Sequence, residues 1–414
     1  MVRTAIKVDL SKKPQEMPGH NFHNRFHPDI PATVEVKQDE VFKIECYDWS
    51  GGQCKNDDCI DDIYEWDLSI GHVLSGPIAV EGAEPGDILE VELLDIQPHP
   101  DMLWGFTGIL PENRGGGGFL GDLFKKPAKA IWDFEGIYAR SRHIPRVKFV
   151  GVIHPGIVAT APSRELLDEW NRRESELVNS APDGKGSSMA CLPLPHLAIL
   201  GHADKDPAKA EKMAKEAART IPPRENGGNA DIKNLSRGSK IWLPVYVKGA
   251  NLSLGDIHFC EGDGEIALCG AIETAGIITV KTKVLKNGMN LYGLKRAPMF
   301  FPGPVEPNYS RYLTFEGICV DDNGKQHFVD TTLAFRQAVL SAIEYLTKYG
   351  YTREQAYLFL SACPVESHIA SIVDIPNSCV TLGIPIDVFD FNILPNGDGP
   401  KVMVKGSHPP SVPK

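Results

Sequence analysis

Residues 226–273, NGGNADIKNLSRGSKIWLPVYVKGANLSLGDIHFCEGDGEIALCGAIE, form the stretch that decides how this chain folds and where its chemistry lies. Glycine-rich turns flank a segment rich in Val, Ile and Leu, which is typical of β-structure. Acidic groups are costly to bury unless a cation or hydrogen-bond donors meet them. A concentration of such groups among apolar residues therefore indicates a site rather than a solvated surface. The groups concerned are Asp231, Asp256, His258, Asp263, Glu265 and Glu273.

The segments upstream of this stretch also favour strands. Residues 31–48 alternate apolar and polar side chains, as half-buried strands do. Residues 75–98 predict a strand, a turn at 84–87 and a second strand with a period of two. The central stretch repeats that order, with a turn predicted at 254–256. With 32 Pro and 39 Gly, the chain is expected to be rich in strands and loops.

Helices are predicted at fewer places, and their ends carry recognisable signals. Asp206 followed by Pro207 is a cap with proline at the first helical position. Residues 331–350 predict a helix that ends at a glycine and has one apolar side, formed by Leu333, Ala338, Ala342 and Leu346. Thr352 with Gln355 forms a capping box for a second helix directly after it.

Together these patterns predict a mixed, β-rich α+β fold. We expect β-sandwich or barrel-like units with an added C-terminal α/β element. A chain of 414 residues is too long to fold around one small hydrophobic core. The expected division is an N-terminal β-rich domain over 1–150 and a central β-rich domain carrying the site over 151–330. A helix pair with strands and a tail would follow over 331–414.

Composition excludes several classes of partner. The net charge of −11 argues against binding to nucleic acid or to an anionic membrane. The sequence has no run of about 18 apolar residues, so no transmembrane helix is expected. Its N-terminus has no apolar core long enough for a signal peptide. Nine cysteines with irregular spacing are interpreted as reduced thiols of a cytoplasmic protein.

The acidic stretch predicts a metal site. Asp256 and His258 are two residues apart, so on a strand they share a face. A hairpin through 262–264 would bring Asp263 and Glu265 opposite them. With Asp231 from the glycine-rich turn, these groups suit a divalent cation, with Zn²⁺ as the first choice. In the other interpretation, the aspartates only form turns.

Three further side chains are candidates for chemistry. Asn229 follows a double glycine and offers hydrogen bonds, although the same pattern is typical of a simple tight turn. His154 follows an apolar segment and precedes Pro-Gly, which suits the mouth of a pocket as well as a satisfied core position. Cys363 has His368 close in sequence, but a thiol nucleophile needs a base in space, and free cysteines are more often buried and inert.

Several segments together resemble the acetamidase/formamidase family, and more closely its formamidase branch. They are HNRFHPDIP (23–31), YDWSGG (47–52), DLSIGHVLSGPIAVEGAEPGD (67–87), HPGIVATAP (154–162) and the stretch 227–265. The resemblance implies hydrolysis of a small neutral amide, formamide to formate and ammonia, in nitrogen metabolism. It also implies a cytoplasmic homo-oligomer built largely of β-structure, with a divalent metal.

Amide hydrolysis needs an activated water, a stabilised oxyanion and a proton for the leaving nitrogen. In the mechanism we expect, a metal held by Asp231, Asp256 and His258 lowers the pKa of water from about 15.7 toward 7. Glu265 takes the proton and returns it to nitrogen, and Asn229 or a backbone N–H of the glycine-rich turn faces the oxyanion. His154 is a further catalytic candidate. Aromatic residues of 104–134 are expected to limit the size of the substrate.

Two other functions remain open at this level. One is a thiol-dependent amidase that uses Cys363 with His368. The other is a metal-stabilised β protein that binds a small ligand without turning it over, because a closed metal site does no catalysis.

Overall fold

The computed structural model describes residues 2–111, 118–180, 195–294, 297–304, 309–395 and 399–405. Strands hold 33% of the residues and helices 21%, which confirms the mixed, β-rich fold. None of the helices in these ranges is long and apolar enough to cross a membrane.

The strands of the first half of the chain are β1 (Arg3–Ile6), β2 (Phe22–His23), β3 (Arg25–Phe26), β4 (Val34–Val36), β5 (Val41–Cys46), β6 (Leu74–Val80), β7 (Ile88–Pro98), β8 (Trp104–Ile109), β9 (Ala128–Glu135), β10 (Tyr138–Ser141) and β11 (Phe149–Val150). Those of the second half are β12 (His154–Ala159), β13 (Ala218–Arg219), β14 (Gly227–Asn229), β15 (Lys240–Pro244), β16 (Leu252–His258), β17 (Cys269–Thr274), β18 (Gly276–Leu285), β19 (Met299–Phe301), β20 (Tyr312–Ile318), β21 (Glu366–Ser371) and β22 (Cys379–Pro385).

The helices are α1 (Asp61–Glu65), α2 (Arg164–Asn179), α3 (Pro207–Glu216), α4 (Gly288–Leu291), α5 (Thr331–Thr347) and α6 (Arg353–Ala362). The caps predicted for α3 and α6 are confirmed. The Asp206 carboxylate accepts from the Lys209 amide, and Thr352 and Gln355 exchange both bonds of the capping box. The sequence did not predict α2, which Ser163 caps.

In the described part of the chain, four sheets organise the strands. One has the order β1-β5-β18-β7-β15-β19. The largest follows β11-β10-β9-β8-β17-β16-β12-β14, and β6 joins it by pairing with β16, β2 and β4. A three-stranded sheet has the order β20-β22-β21, and β13 pairs with β3 alone. The pairings around β12, β16 and β17 bring the site residues together.

Two large cores hold these sheets together. In the first, apolar residues of the six-stranded sheet such as Val91 and Val280 pack against β16 residues such as Leu254 and Ile257. This face-to-face packing is that of a sandwich. In the second, α5 and α6 pack with β22 against β9, with Trp132 fully buried among them. The C-terminal helices therefore cover the sheet that carries the site.

The structure differs from one expectation about local organisation. Residues 254–256 lie inside β16 rather than at a turn. Strands also pair across residue 150, since β7 pairs with β18 and β8 with β17. The division into 1–150, 151–330 and 331–414 stays a prediction, and the end of the predicted tail, 406–414, lies outside the described residues.

Candidate functional site

Two histidines face each other across a pair of antiparallel strands. His154 at the start of β12 is the register partner of His258 at the end of β16, and their rings meet edge to face with centroids 5.0 Å apart. Gly156, also on β12, packs against the side chains of Asp256, Asp231 and His258. A Cβ there would stand 2.5 Å from Asp256 Oδ2 and 2.7 Å from Asp231 Oδ1. Only glycine therefore lets this backbone approach the carboxylates so closely.

The partners of His154 fix its orientation. Its Nδ1 lies 2.7 Å from the carbonyl oxygen of Val152. A carbonyl only accepts, so this nitrogen carries the hydrogen. The other nitrogen, Nε2, is thereby directed at Glu261 Oε2, 3.1 Å away.

His258 meets carboxylates at both ring nitrogens. Its Nδ1 lies 2.8 Å from Glu261 Oε2. Its Nε2 lies 3.3 Å from Asp256 Oδ1 and 3.2 Å from Glu273 Oε2. Burial opposes the charged ring, but Glu273 and Asp256 outweigh burial and raise the pKa of His258 well above its usual value. This arrangement suits either an imidazolium or a ring that shares one nitrogen with a cation.

Five carboxyl groups converge here. Because they repel one another, some have raised pKa values and others have lowered ones. Burial, reinforced by neighbouring carboxylates, raises the pKa values of Asp231 and Glu265 well above the usual range. Burial likewise raises the pKa of Glu273 to about 7, against the opposing effect of His258. The remaining two are Asp256 and Glu261.

Asp256 and Glu261 keep lowered pKa values because imidazoles face them. Burial alone would raise the pKa of Asp256, but His72 and His258 outweigh it. For Glu261, hydrogen bonds from His154 and His258 have the same effect. The cluster therefore needs extra protons or a cation to balance its negative charge.

Three of these carboxyl groups sit on a strained backbone. Asp231, Asp256 and Glu265 have φ angles of 46°, 58° and 42°. Residues with a side chain seldom adopt this left-handed region, and such strain costs on the order of 1–3 kcal/mol each. It persists only where the surroundings enforce it, as it does at functional sites.

The cluster fits a divalent cation. Three overlapping sets have ligand atoms within 4.8 Å of one another: Asp231, Asp256 and His258; His154, His258 and Glu261; and His258, Glu265 and Glu273. Several buried atoms find no hydrogen-bond partner within the described ranges, namely Asp231 Oδ1, His258 Nε2, Glu261 Oε1 and Glu273 Oε2. Close approach without hydrogen-bond geometry is what ligands of a shared ion show. Imidazole nitrogen with carboxylate oxygen suits several transition metals.

A cavity of ≈ 70 Å³ opens beside the cluster. Its polar side is formed by His72, Asn229, Asp256, Glu265 and Glu273, and its apolar side includes Trp49, Leu68, Ile221 and Leu268. This pocket is small beside the roughly 300–1,000 Å³ that is usual for ligand-binding sites. The aromatic wall thus comes from Trp49, and the prediction that residues 104–134 form it is wrong.

The structure brings most of the predicted site residues together. Asp231, Asp256 and His258 form one candidate ligand set. Glu265 and Asn229 are half-buried and line the cavity, and Asn229 Oδ1 has no hydrogen-bond partner among the described residues. Their individual roles stay predictions.

Two predicted positions are wrong. His154 is fully buried behind His258 and does not line the cavity, so it is not at the mouth of a pocket. The hairpin expected through 262–264 is also absent from the described chain. His258 pairs instead with Glu273 on β17, and Asp263 forms an ion pair with Lys233. A ten-residue loop between β16 and β17 replaces the tight turn.

Sequence reasoning missed Glu261 and His72 as site residues and assigned no role to Glu273. Glu273 was within the acidic stretch, but its role depends on the register with His258, which no local signal reveals. His72 lines the cavity, its Nε2 lies 3.8 Å from Asp256 Oδ2, and its buried Nδ1 has no hydrogen-bond partner in the described part of the chain. His72 is remote in sequence from the other polar groups of the cluster, although it lies in the segment 67–87 that carries the family resemblance.

The thiol alternative has little structural support. Cys363 is fully buried, and burial raises the pKa of its thiol well above the usual value. His368 is exposed on β21. A buried thiol held in its protonated form is a poor nucleophile.

Comparisons with known proteins identify full-length relatives of this chain. A profile described as the Acetamidase/Formamidase family matches residues 7–391. A formamidase of Methylophilus methylotrophus is 51% identical over 411 residues, covering 99% of this chain and 98% of that protein. An acetamidase of Mycolicibacterium smegmatis is 49% identical, with coverage of 90% and 92%. The solved structure of a gamma lactamase from Delftia acidovorans is similar with a TM-score of 0.95, 49% identity and 100% coverage of both chains.

Proposed function

Since the chain belongs to the acetamidase/formamidase family, we propose that it is a formamidase, which hydrolyses formamide to formate and ammonia. The observation that carries this proposal is the ≈ 70 Å³ cavity with carboxyl and imidazole groups on one side and an apolar wall on the other. A space of that size suits an amide with almost no acyl group. The formamidase of Methylophilus methylotrophus, 51% identical, supports the same substrate.

The proposal includes a divalent cation, with Zn²⁺ as the first choice. Asp231, Asp256 and His258 would hold it, and the unpartnered Asp231 Oδ1 and His258 Nε2 support this set. When bound, the cation supplies a Lewis acid that lowers the pKa of water and polarises the amide carbonyl. Imidazole nitrogens and carboxylate oxygens are both found among the ligands of catalytic zinc.

The chain's own residues would carry the proton transfers. Glu265 takes a proton from the attacking water and passes it to the nitrogen, whereupon the C–N bond breaks and ammonia leaves. The Asn229 amide donates a hydrogen bond to the oxyanion. His154 does not reach the cavity, so its role is to orient Glu261 and, through it, His258.

The test is ammonia release from formamide by the wild type and by Glu265→Gln, with the exposed Glu316→Gln as a matched control. We expect Glu265→Gln to lose about 10²–10⁴ in kcat, as removal of a catalytic acid–base group usually does. Retention of more than about a third of the turnover, well outside that range, would refute the assignment. Acetamide and a γ-lactam, assayed in parallel, define the substrate range.

Chelation and elemental analysis test the cation separately. Activity that disappears on chelation and returns with Zn²⁺ would support it. Turnover that resists exhaustive chelation would keep the amidase and reject the metal.

We further propose a homo-oligomer that works in the cytoplasm. The edge strand β19 exposes Met299, Phe300 and Phe301, and large apolar patches at edges often mark subunit contacts. All eight described cysteines are free thiols, which suits a reducing compartment. Light scattering of the purified protein would give its subunit number, and a monomer would refute the assembly.

A further inference from the structure

A buried lysine joins three separate segments beside the site. The side chain of Lys233 is 3% exposed. Its Nζ pairs with Asp263 Oδ1 and lies 3.2 Å from Glu366 Oε1. The second oxygen of Asp263 accepts from the backbone amide of Ser367 at 2.8 Å. One cation and one carboxylate thus connect the segment after β14, the loop between β16 and β17, and β21.

Two of these segments carry site carboxylates. Lys233 stands two residues after Asp231, and Asp263 stands midway between Glu261 and Glu265. Both segments lie beyond the ends of their strands, so no ladder of sheet hydrogen bonds sets the distance between them. The pair Lys233–Asp263 is the contact that spans this gap.

The C-terminal element fixes the same loop from the other side. The Gly262 amide donates to the Ser361 carbonyl at 2.8 Å, and the Ala267 amide donates to Ser361 Oγ at 3.0 Å. A Cβ at Gly262 would stand 2.5 Å from the Leu360 carbonyl, so the loop lies tightly against the end of α6. The loop that bears Glu261 and Glu265 is therefore held by residues about a hundred positions downstream.

We propose that Lys233 is a positioning residue for the active site, acting with Asp263 and Glu366. It holds the loop of Glu261 and Glu265 against the segment of Asp231, and so sets both the affinity for the cation and the alignment of Glu265 with the substrate. Removal of a buried cation leaves its two carboxylates without a partner, and they then separate or take up protons. The kinetic part of this inference rests on the proposed function.

The experiment compares Lys233→Met with wild type by metal titration, and by kcat and KM for formamide. Residues that orient metal ligands usually change metal affinity or activity by about 10–100-fold when replaced. We expect a rise of that size in the Kd for Zn²⁺ and a fall in kcat with a smaller change in KM. Lys233→Arg, which keeps the charge, should recover part of both.

Lys129→Met is the matched control, because Lys129 is also fully buried and pairs with two carboxylates, Asp57 and Asp62, but does not line the cavity. It should lower the melting temperature while leaving the Kd for Zn²⁺ and the kcat of the folded enzyme near wild type. If Lys233→Met does not fold, Asp263→Asn, whose side chain is 32% exposed, removes the same ion pair, keeps an oxygen for the Ser367 amide and gives the same readouts.

The outcomes separate this inference from the proposed function. A folded Lys233→Met, or its substitute Asp263→Asn, with wild-type Kd and kcat overturns the role of Lys233. An equal loss in Lys129→Met also overturns it, because the effect is then one of general stability. A wild type that does not hydrolyse formamide refutes the substrate and leaves the metal titration to decide on Lys233. A wild type without affinity for Zn²⁺ refutes that cation and leaves kcat to decide.

Discussion

Gly156 is the residue where the smallest chemical change should do the most damage. A methyl group there would stand 2.5 Å from Asp256 Oδ2 and 2.8 Å from His258 Cε1. Both side chains are buried and have no room to retreat. We expect Gly156→Ala to lose the cation and at least about 100-fold in kcat/KM, because two candidate ligands are displaced.

Metal content and kcat/KM of purified Gly156→Ala check this prediction. Gly383→Ala on β22 is the control, since its Cβ would meet nothing closer than 3.3 Å. A Gly156→Ala enzyme with full metal content would mean that the carboxylates are not packed as described.

His23 predicts a dependence of stability on acid. Its Nδ1 lies 2.7 Å from the Arg25 carbonyl and its Nε2 2.7 Å from Ser253 Oγ, so the buried ring is held neutral. Burial lowers its pKa from 6.5 to about 4. Between these values the unfolded chain binds more protons than the folded one, so the free energy of unfolding falls as pH drops from about 6.5 to 4. The loss at the lower end is roughly 3 kcal/mol.

Melting temperatures at pH 7 and pH 4.5 test this for wild type and His23→Gln. The variant cannot titrate there, so its melting temperature should drop less. Equal drops in the two proteins would show that His23 is protonated in the folded state or is not buried.

Much of the site was predictable at the scale of single residues. Asp231, Asp256 and His258 converge because acidic groups inside an apolar stretch have few other stable arrangements. Glu273 and His72 could not be assigned, since their place depends on strand register and on a distant loop. The family assignment from short segments is confirmed by the match over residues 7–391.

At the scale of elements, α6 depends on its first turn. Thr352 Oγ1 accepts from the Gln355 amide at 3.1 Å, and Gln355 Oε1 accepts from the Thr352 amide at 2.9 Å. Gln355 is fully buried and also donates to the His143 carbonyl at 2.7 Å. We expect Thr352→Ala to lower the free energy of unfolding by about 1 kcal/mol, the usual value of such a cap.

Denaturant unfolding followed by circular dichroism measures this change. Thr347→Ala, in the last turn of α5, replaces a half-buried threonine that caps no N-terminus and should stay within about 0.5 kcal/mol of wild type. A similar decrease in the free energy of unfolding in both variants would show that the capping box contributes no specific stabilisation.

The elements that the sequence predicted well are those with local signals. The caps of α3 and α6 involve residues three positions apart, so the printed sequence contains them. Strand order is different, because pairing in a sheet is set by contacts between distant segments. The loop between β16 and β17 was interpreted as a hairpin for that reason. Only the pairing of β17 with both β8 and β16 shows where Glu273 of β17 lies.

At the scale of the whole molecule, the acidic cluster should couple cation binding to stability. A ligand that binds only the folded state stabilises it by mass action. The metal-free protein should therefore melt at a lower temperature than the loaded one. The pKa of Glu273 is raised to about 7 in the metal-free structure. Folded Glu273 thus holds its proton where the unfolded carboxyl has lost it, and the metal-free protein loses stability as pH rises from about 4.5 to 7.

The melting temperature after chelation, compared with the loaded protein at pH 5.5 and pH 8, checks this expectation. We predict that the difference in melting temperature between loaded and chelated protein is larger at pH 8, where the unbalanced carboxylates repel each other most. A difference that becomes smaller toward pH 8 would contradict the conclusion that the cluster carries excess negative charge without a cation.

The pairing of β5 with β18 has a consequence for biosynthesis. Cys46 lies opposite Gly276, so the middle of the six-stranded sheet joins segments made far apart in time. At synthesis rates of about 5–20 residues per second, the ribosome needs on the order of ten seconds or more to supply the missing neighbour. During that interval the nascent chain carries apolar strands with open edges, a state that invites aggregation. We therefore expect folding of this chain during synthesis to benefit from chaperones that cover these strands until their partners arrive.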